Sequence, residues 1–140
     1  MNRRAYGNAG EDAACAYLTR RGWTILDRNV RRGRGEIDVV ARKRGTVAFV
    51  EVKRRSNLGY GRPAEAVNRE KQMRIAHAAA LYMQENGLAD SRIRFDVIEI
   101  LPGEIQHIEG AFDATDLFCP PENLPLYRET EGFISWKRRK

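Results

Sequence analysis

Two carboxylates and a lysine lie on neighbouring apolar segments, in a spacing that could support proton transfer and charge stabilisation. Glu51 and Lys53 end one strand-length run of β-branched residues, and Asp38 stands near the start of the preceding run. A basic turn that contains glycine separates the two runs, which predicts a β-hairpin. Because strand side chains alternate between faces, Glu51 and Lys53 share one face. Antiparallel pairing would bring Asp38 beside them.

A simpler interpretation is that Glu51 and Lys53 form an exposed ion pair and that Asp38 caps a turn. Exposed pairs contribute only about 0 to 1 kcal/mol to stability. The run Val47–Val52 leaves neither face without large apolar groups, however, which is typical of a central strand covered on both sides. A charge at the end of such a strand is costly to bury unless it has a partner or a function.

Four segments carry a resemblance to a known family. Gly10-Glu11 on an early helix, Gly35–Asp38, Phe49–Arg55 and Arg94–Val97 are similar to the YraN-type bacterial proteins, a family of unassigned function. That family is usually grouped with the PD-(D/E)XK nuclease superfamily, near the archaeal Holliday-junction resolvases. The resemblance covers residues 7 to 112, and Ile37 stands where the superfamily name has proline. It implies an α/β, restriction-endonuclease-like core with a mixed central β-sheet of about five strands flanked by helices.

The resemblance also implies a divalent metal ion and hydrolysis of phosphodiester bonds in nucleic acid, by an endonuclease that could act on branched DNA. Ligation by oxygen atoms alone suits Mg²⁺ or Mn²⁺. Asp38, Glu51 and the carbonyl group of Val52 would hold the ion. Glu11 would be a third metal ligand or a substrate-orienting acid. The alternative for Glu11 is a first-turn carboxylate stabilised by the helix dipole.

Two lysines complete the candidate catalytic set. Lys53 would orient or deprotonate the attacking water and stabilise the transition state. Lys71, on a later helix, would reach the acidic cluster or the substrate phosphate, although its side chain could instead extend to solvent. A non-catalytic nucleic-acid-binding module with a nuclease-like fold is the alternative function, and metal binding would separate the two.

Charge is distributed unevenly along the chain, whose formal net charge is +6. Residues 1–75 hold 18 Lys and Arg against 8 Asp and Glu, whereas residues 76–125 hold 2 against 9. A surface of that asymmetry attracts a polyanion, which predicts binding to nucleic acid, and the resemblance to the resolvases implies that this is DNA. The candidate contacts are basic and aromatic residues of the two loops beside the site, namely Arg31, Arg32, Arg34, Arg54, Arg55, Tyr60 and Arg62. A solvated hairpin and a flexible connector are the alternatives for these loops.

Periodicity predicts the elements that position these residues. Helical spacing extends from Gly7 to Arg21 and places Glu11 on the apolar stripe. A long helix is predicted from Pro63 to about Asn86, with Lys71 on the face turned to the sheet. Further strands are predicted over residues 23–30, 92–101 and 105–108, and an Arg94–Asp96 pair is expected to be structural.

The chain length of 140 residues suits one domain, which we place at residues 1–119, followed by a flexible basic tail at residues 120–140. The two cysteines lack zinc spacing. No apolar run has the length of a membrane span and no signal peptide is apparent, so we expect a cytoplasmic protein that does not enter membranes. A homodimer is possible by analogy with the resolvases alone.

Overall fold

Two helices and five long strands form most of the structure, a computed structural model that describes residues 3–55, 67–88, 90–113, 129–130 and 133–134. The helices are α1 (Arg3–Arg20) and α2 (Arg69–Glu85), and the strands are β1 (Thr24–Arg32), β2 (Gly35–Lys43), β3 (Thr46–Arg54), β4 (Arg92–Leu101), β5 (Glu104–Phe112), β6 (Glu129–Thr130) and β7 (Phe133–Ile134). Within the described ranges, no helix is both long enough and apolar enough to cross a membrane.

The long strands form one sheet in the order β1-β2-β3-β4-β5. Neighbours pair antiparallel except β3 and β4, which run parallel and are joined through α2. A parallel pair needs such a crossover connection, because a tight turn reverses chain direction. These observations confirm the α/β class and the mixed sheet of about five strands flanked by helices.

Strand β3 is buried on both faces, as its continuous apolar run predicted. Val47 and Phe49 pack in the cluster beneath α2, which also holds Ile75, Ala79 and Tyr82. Ala48 and Val50 pack on the opposite face with residues of α1. The alternation continues past the apolar run, so Glu51 and Lys53 extend from the α2 side of the sheet.

The start of α2 differs from the sequence prediction. Val67 and Asn68 are not helical, and the helix begins at Arg69 rather than at Pro63, which lies outside the described residues. Asn68 has extended backbone angles, and its side chain accepts a hydrogen bond of 2.9 Å from the amide of Lys71. An asparagine N-cap satisfies a helix amide that would otherwise lack a partner, and it therefore sets the boundary. Strand β4, in contrast, has the predicted bounds.

The predicted domain boundary at residue 119 lies outside the described residues, as does most of the predicted tail at residues 120–140. Within that tail, the structure describes only β6 and β7, which pair antiparallel with each other. The single domain and the flexible tail therefore stay predictions.

Gly35, the first residue of β2, lies against the backbone of α2. A Cβ atom at this position would clash with the carbonyl oxygen of Arg74 and would be 2.8 Å from the Cβ of Ala78. Only glycine allows this approach, because no real Cβ contact is so short. The contact fixes α2 beside the start of β2, and it thereby fixes the distance between Lys71 and the acidic residues of the sheet.

We predict that Gly35→Ala lowers the free energy of unfolding by about 3 kcal/mol or more, because the helix backbone must move to admit the methyl group. Gly103→Ala is the control, since that glycine has φ +74° but a Cβ atom added to it would meet no described residue within 4 Å. Its cost should be only the left-handed penalty of roughly 1 to 2 kcal/mol. Chemical denaturation measures both values, and equal losses would contradict the packing argument.

Candidate active site between two central strands and helix α2

Strands β2 and β3 part at Asp38. The backbone ladder ends with Val39 opposite Val50, and beyond it the amide of Val52 donates a 2.7 Å hydrogen bond to Asp38 Oδ2. A side chain thus continues the pairing where the two backbones separate. The contact occupies only one of the two carboxylate oxygens and holds the carboxylate between the strands.

Glu51 is contacted by both candidate lysines. Lys71 Nζ donates a 2.7 Å hydrogen bond to Glu51 Oε2, and Lys53 Nζ lies 3.4 Å from the same oxygen. The Glu51 side chain is 9% exposed, so the charge is almost fully removed from water. A buried carboxylate needs such partners, because its desolvation otherwise costs several kcal/mol. Lys71 therefore reaches the acidic cluster from α2 rather than extending only to solvent.

The pKa of Asp38 is raised from 3.8 to about 7. Burial is the main cause, and the negative charge of Glu51 is the second. The hydrogen bond from Val52 acts in the opposite direction, while Glu11 and Glu36 add further repulsion. Asp38 is thus a carboxyl group that exchanges its proton near neutral pH, which is a property typical of functional sites.

Glu11 belongs to the same electrostatic cluster but lies in the middle of α1. The residue is 9% exposed, and its Oε1 atom is buried without a hydrogen bond from any described residue. Arg28 lies 3.7 Å from that oxygen and pairs more closely, at 2.6 Å, with Asp12. The helix begins at Arg3, so the interpretation of Glu11 as a first-turn carboxylate is wrong. A buried oxygen without a hydrogen bond is costly, and it favours a ligand that the protein alone does not supply.

The donor atoms fit a divalent ion in their chemistry. Asp38 and Glu51 provide carboxylate oxygens, which Mg²⁺ and Mn²⁺ prefer, and their mutual repulsion would be relieved by a cation. In the described part of the chain, no three His, Cys, Asp or Glu side chains are arranged closely enough to hold a metal ion. Asp38 and Glu51 would therefore hold the ion as a pair. The predicted roles of the Val52 carbonyl and of Glu11 stay predictions.

A cleft of about 240 Å³ opens beside these residues. It is lined by Arg34, Glu36, Asp38, Glu51, Lys71, Arg74 and Ile75. Sequence analysis did not select Glu36 or Arg74 as site residues. Each could have been found by periodicity, because Glu36 precedes Asp38 by two strand positions and Arg74 follows Lys71 by three helix positions.

The arginines expected to contact nucleic acid have different environments. Arg34 lines the cleft, and Arg31 pairs with Glu36 at its rim at a distance of 3.2 Å. Arg54 is exposed, and its aliphatic part passes over Gly10, where a Cβ atom would lie 2.8 Å from its Cγ and Cδ atoms. Arg31 and Arg34 thus lie at the cleft, whereas Arg54 lies against α1.

Two other arginines form intramolecular pairs. Arg32 contacts Glu85 at 2.7 Å, and Arg55 pairs with the buried carboxylate of Glu99. Both pairs reduce the availability of these side chains for phosphate groups. Tyr60 and Arg62, the remaining predicted contacts, lie outside the described residues.

A second buried acid, Asp96, lies on the α1 side of the sheet. It accepts hydrogen bonds from Arg94 at 2.8 and 2.9 Å, from His107 at 2.8 Å and from the amide of Gly110 at 3.0 Å. Burial would raise the pKa of Asp96, but these hydrogen bonds outweigh burial and lower it. The expected structural pair of Arg94 and Asp96 is confirmed, and this acid is fully satisfied by the protein.

The pKa of Asp38 predicts an unusual pH dependence of stability. A group whose pKa rises from 3.8 to about 7 on folding binds its proton more tightly in the folded state. Stability contributed by this group must therefore fall as the pH rises from about 4 to about 7, and it must level off above that range. Asp38→Asn keeps an acceptor for the Val52 amide but removes the charge.

We expect the stability advantage of Asp38→Asn over wild type to be larger at pH 8 than at pH 5 by roughly 1 to 3 kcal/mol, because the folded wild-type protein loses the Asp38 proton over this range. Both measurements are made with a chelator present. Glu104→Gln, at an exposed carboxylate of β5, is the control and should show no such divergence. If the difference in unfolding free energy between Asp38→Asn and wild type does not change with pH, the claim that burial and Glu51 raise the pKa of Asp38 is wrong.

Comparisons with known proteins agree with the resemblance found in the sequence. The uncharacterised protein family UPF0102 matches residues 10–100. A UPF0102 protein of Rhodococcus jostii is 46% identical over 113 residues, which cover 77% of this chain and 96% of that protein. A UPF0102 protein of Myxococcus xanthus is 46% identical over 116 residues, covering 80% and 92%.

Among solved structures, the chain is similar to Archaeoglobus fulgidus Hjc, a Holliday junction resolvase from an archaeal hyperthermophile, with 16% identity and a TM-score of 0.42. That alignment covers 89% of this chain and 80% of the other. The family matches confirm the YraN-type resemblance, and the chain belongs to the uncharacterised protein family UPF0102.

Proposed function

We propose that the protein is a nuclease that hydrolyses phosphodiester bonds in nucleic acid with Mg²⁺ or Mn²⁺. The observation that carries this proposal is the raised pKa of Asp38 beside Glu51, within a cleft that also contains Lys71, Arg34 and Arg74. Carboxylates that repel one another hold a cation, and surrounding cationic side chains bind phosphate. A cleft that contains both kinds of group is suited to bind a metal ion and a phosphate together.

The acidic residues of the cleft would bind the metal ion. When bound, Mg²⁺ or Mn²⁺ stabilises charge on a phosphate and lowers the pKa of a water molecule. Asp38 and Glu51 are placed to bind the ion with their carboxylate oxygens. Asp38 must lose its proton to do so, and a pKa of about 7 places this loss at neutral pH. Binding of the cation would itself favour that loss.

The cationic residues would act on the attacking water and on the phosphate groups of the substrate. Lys53 extends from the same face of β3 as Glu51 and lies 3.4 Å from Glu51 Oε2. From this position its ammonium group would orient the attacking water and stabilise the additional negative charge of the transition state. Arg34 and Arg74 line the cleft and would bind the phosphates on either side.

A binding module without turnover is the second candidate. The observation that favours it is that Lys71 and Lys53 already contact the carboxylate of Glu51, so this acid has counter-charges before any metal ion binds. Such a module would bind nucleic acid through Arg34 and its neighbours and would have no need of a divalent ion. Mn²⁺ titration by calorimetry separates the two candidates, because only the nuclease requires binding that depends on Asp38 and Glu51.

The YraN-type resemblance directs the first assay to branched DNA. A labelled four-way junction, a nicked duplex, single-stranded DNA and RNA are incubated with the protein in Mg²⁺ or Mn²⁺. We expect cleavage of at least one of these substrates, and we expect none in the presence of a chelator. A homodimer and a cytoplasmic location stay predictions, because neither follows from the geometry of the cleft.

Glu51→Gln and Lys53→Met should each lower the cleavage rate by about 100-fold or more, since each removes a charge that acts on the reacting phosphate. Both substitutions approximately preserve side-chain volume, so the fold should persist, as checked by circular dichroism. Glu104→Gln, far from the cleft on β5, should cleave at the wild-type rate. Wild-type cleavage by both site variants would refute the assignment.

A further inference from the structure

Lys71 contacts Glu51, one of the two carboxylates that would hold the metal ion. Its ammonium group lies 2.7 Å from Glu51 Oε2, which is a close charge-assisted hydrogen bond. We propose that Lys71 competes with the divalent ion for Glu51, so that loading of the site requires the ammonium group to leave this oxygen. The inference deepens the proposed function and rests on its metal site.

The local charges make this competition necessary. Asp38 and Glu51 carry up to two negative charges, and Lys53 and Lys71 carry two positive charges close to them. A divalent ion added to this set would face two ammonium groups at short range. The repulsion is relieved if one lysine moves away, and metal affinity is then set partly by the strength of the Lys71–Glu51 pair.

Lys71 is the lysine that can move. It extends from α2 across the cleft, and its side chain is 35% exposed. Lys53 lies two positions from Glu51 on the same strand, is 3.4 Å from the shared oxygen and is 27% exposed. The neighbouring strand position keeps Lys53 near the carboxylate whether or not a metal ion is present.

The displaced ammonium group would bind a substrate phosphate in the same cleft. Lys71 shares the cleft with Arg34 and Arg74, where we place the phosphates of the substrate. A lysine released from Glu51 would become a phosphate ligand in the same cleft. Lys71 is therefore a positioning residue that holds Glu51 in the metal-free protein and binds substrate in the loaded protein.

The test is Mn²⁺ binding by calorimetry to the full chain without nucleic acid. If Lys71 competes for Glu51, Lys71→Met should bind Mn²⁺ about tenfold or more tightly than wild type, which corresponds to about 1.4 kcal/mol. Lys71→Arg, which keeps the charge and the hydrogen bond, should remain near wild type. Lys53→Met is the matched control for loss of one nearby positive charge and should give a smaller gain.

Two results of this titration would overturn the inference: an unchanged or weaker affinity in Lys71→Met, or an equal gain in Lys53→Met. The second result would mean that Mn²⁺ affinity depends on the net charge of the site and not on the contact between Lys71 and Glu51. Glu51→Gln separates this failure from failure of the proposed function. If Glu51→Gln retains wild-type Mn²⁺ affinity, the metal site itself is absent and both ideas fail, whereas a Glu51-dependent site without a gain in Lys71→Met removes only the competition.

A second measurement observes the metal-induced change in the wild-type chain itself and uses a variant only to assign the signal. The Lys71 side-chain nitrogen is observed by ¹⁵N NMR and assigned by its loss in Lys71→Met. Saturation with Mg²⁺ should shift or broaden this signal, because the hydrogen bond to Glu51 is broken. A Lys71 signal that is unchanged by saturating Mg²⁺ would overturn the proposal.

Discussion

The candidate site depends on the burial of two like charges where β2 and β3 part. Removing a carboxylate from water is costly, and placing a second one beside it increases the cost. The protein offsets this cost only in part. The Val52 amide binds Asp38 and two ammonium groups contact Glu51, yet the pKa of Asp38 is still raised to about 7. The remaining repulsion is the physical basis for the cation site that we propose.

Comparison with Asp96 shows that this repulsion is not a general consequence of burial in this fold. Asp96 is completely buried, but four hydrogen bonds from Arg94, His107 and Gly110 lower its pKa. Among the described residues, Asp38 receives one hydrogen bond, from a backbone amide, and it faces other acids. The same sheet therefore holds a satisfied structural acid on the α1 side and an incompletely compensated acid on the α2 side, and only the second is suited to bind a cation.

The positive charge of the first half of the chain is also divided between two uses. Arg32 and Arg55 pair with Glu85 and Glu99, which connects β1 to α2 and β3 to β4. Such pairs position secondary structure, and they contribute little to attraction of a polyanion. Arg34 and Arg74 line the cleft, where we propose that they bind phosphate. Net charge predicted a polyanion partner, whereas the structure separates the arginines that could bind it from those that brace the fold.

The amino-acid sequence was enough to predict strands β1 to β4, the shared face of Glu51 and Lys53, and the neighbourhood of Asp38, because strand alternation and hairpin pairing are local rules. It predicted only residues 105–108 of the longer strand β5, and it indicated the family through four short segments. Three features required the folded structure: α2 begins at the Asn68 cap, Lys71 contacts Glu51, and Glu36 and Arg74 line the cleft. The raised pKa of Asp38 likewise depends on burial and on acids brought close by the tertiary structure. These properties depend on distances between elements that are far apart along the chain, and periodicity reports only which face of its own element a residue occupies.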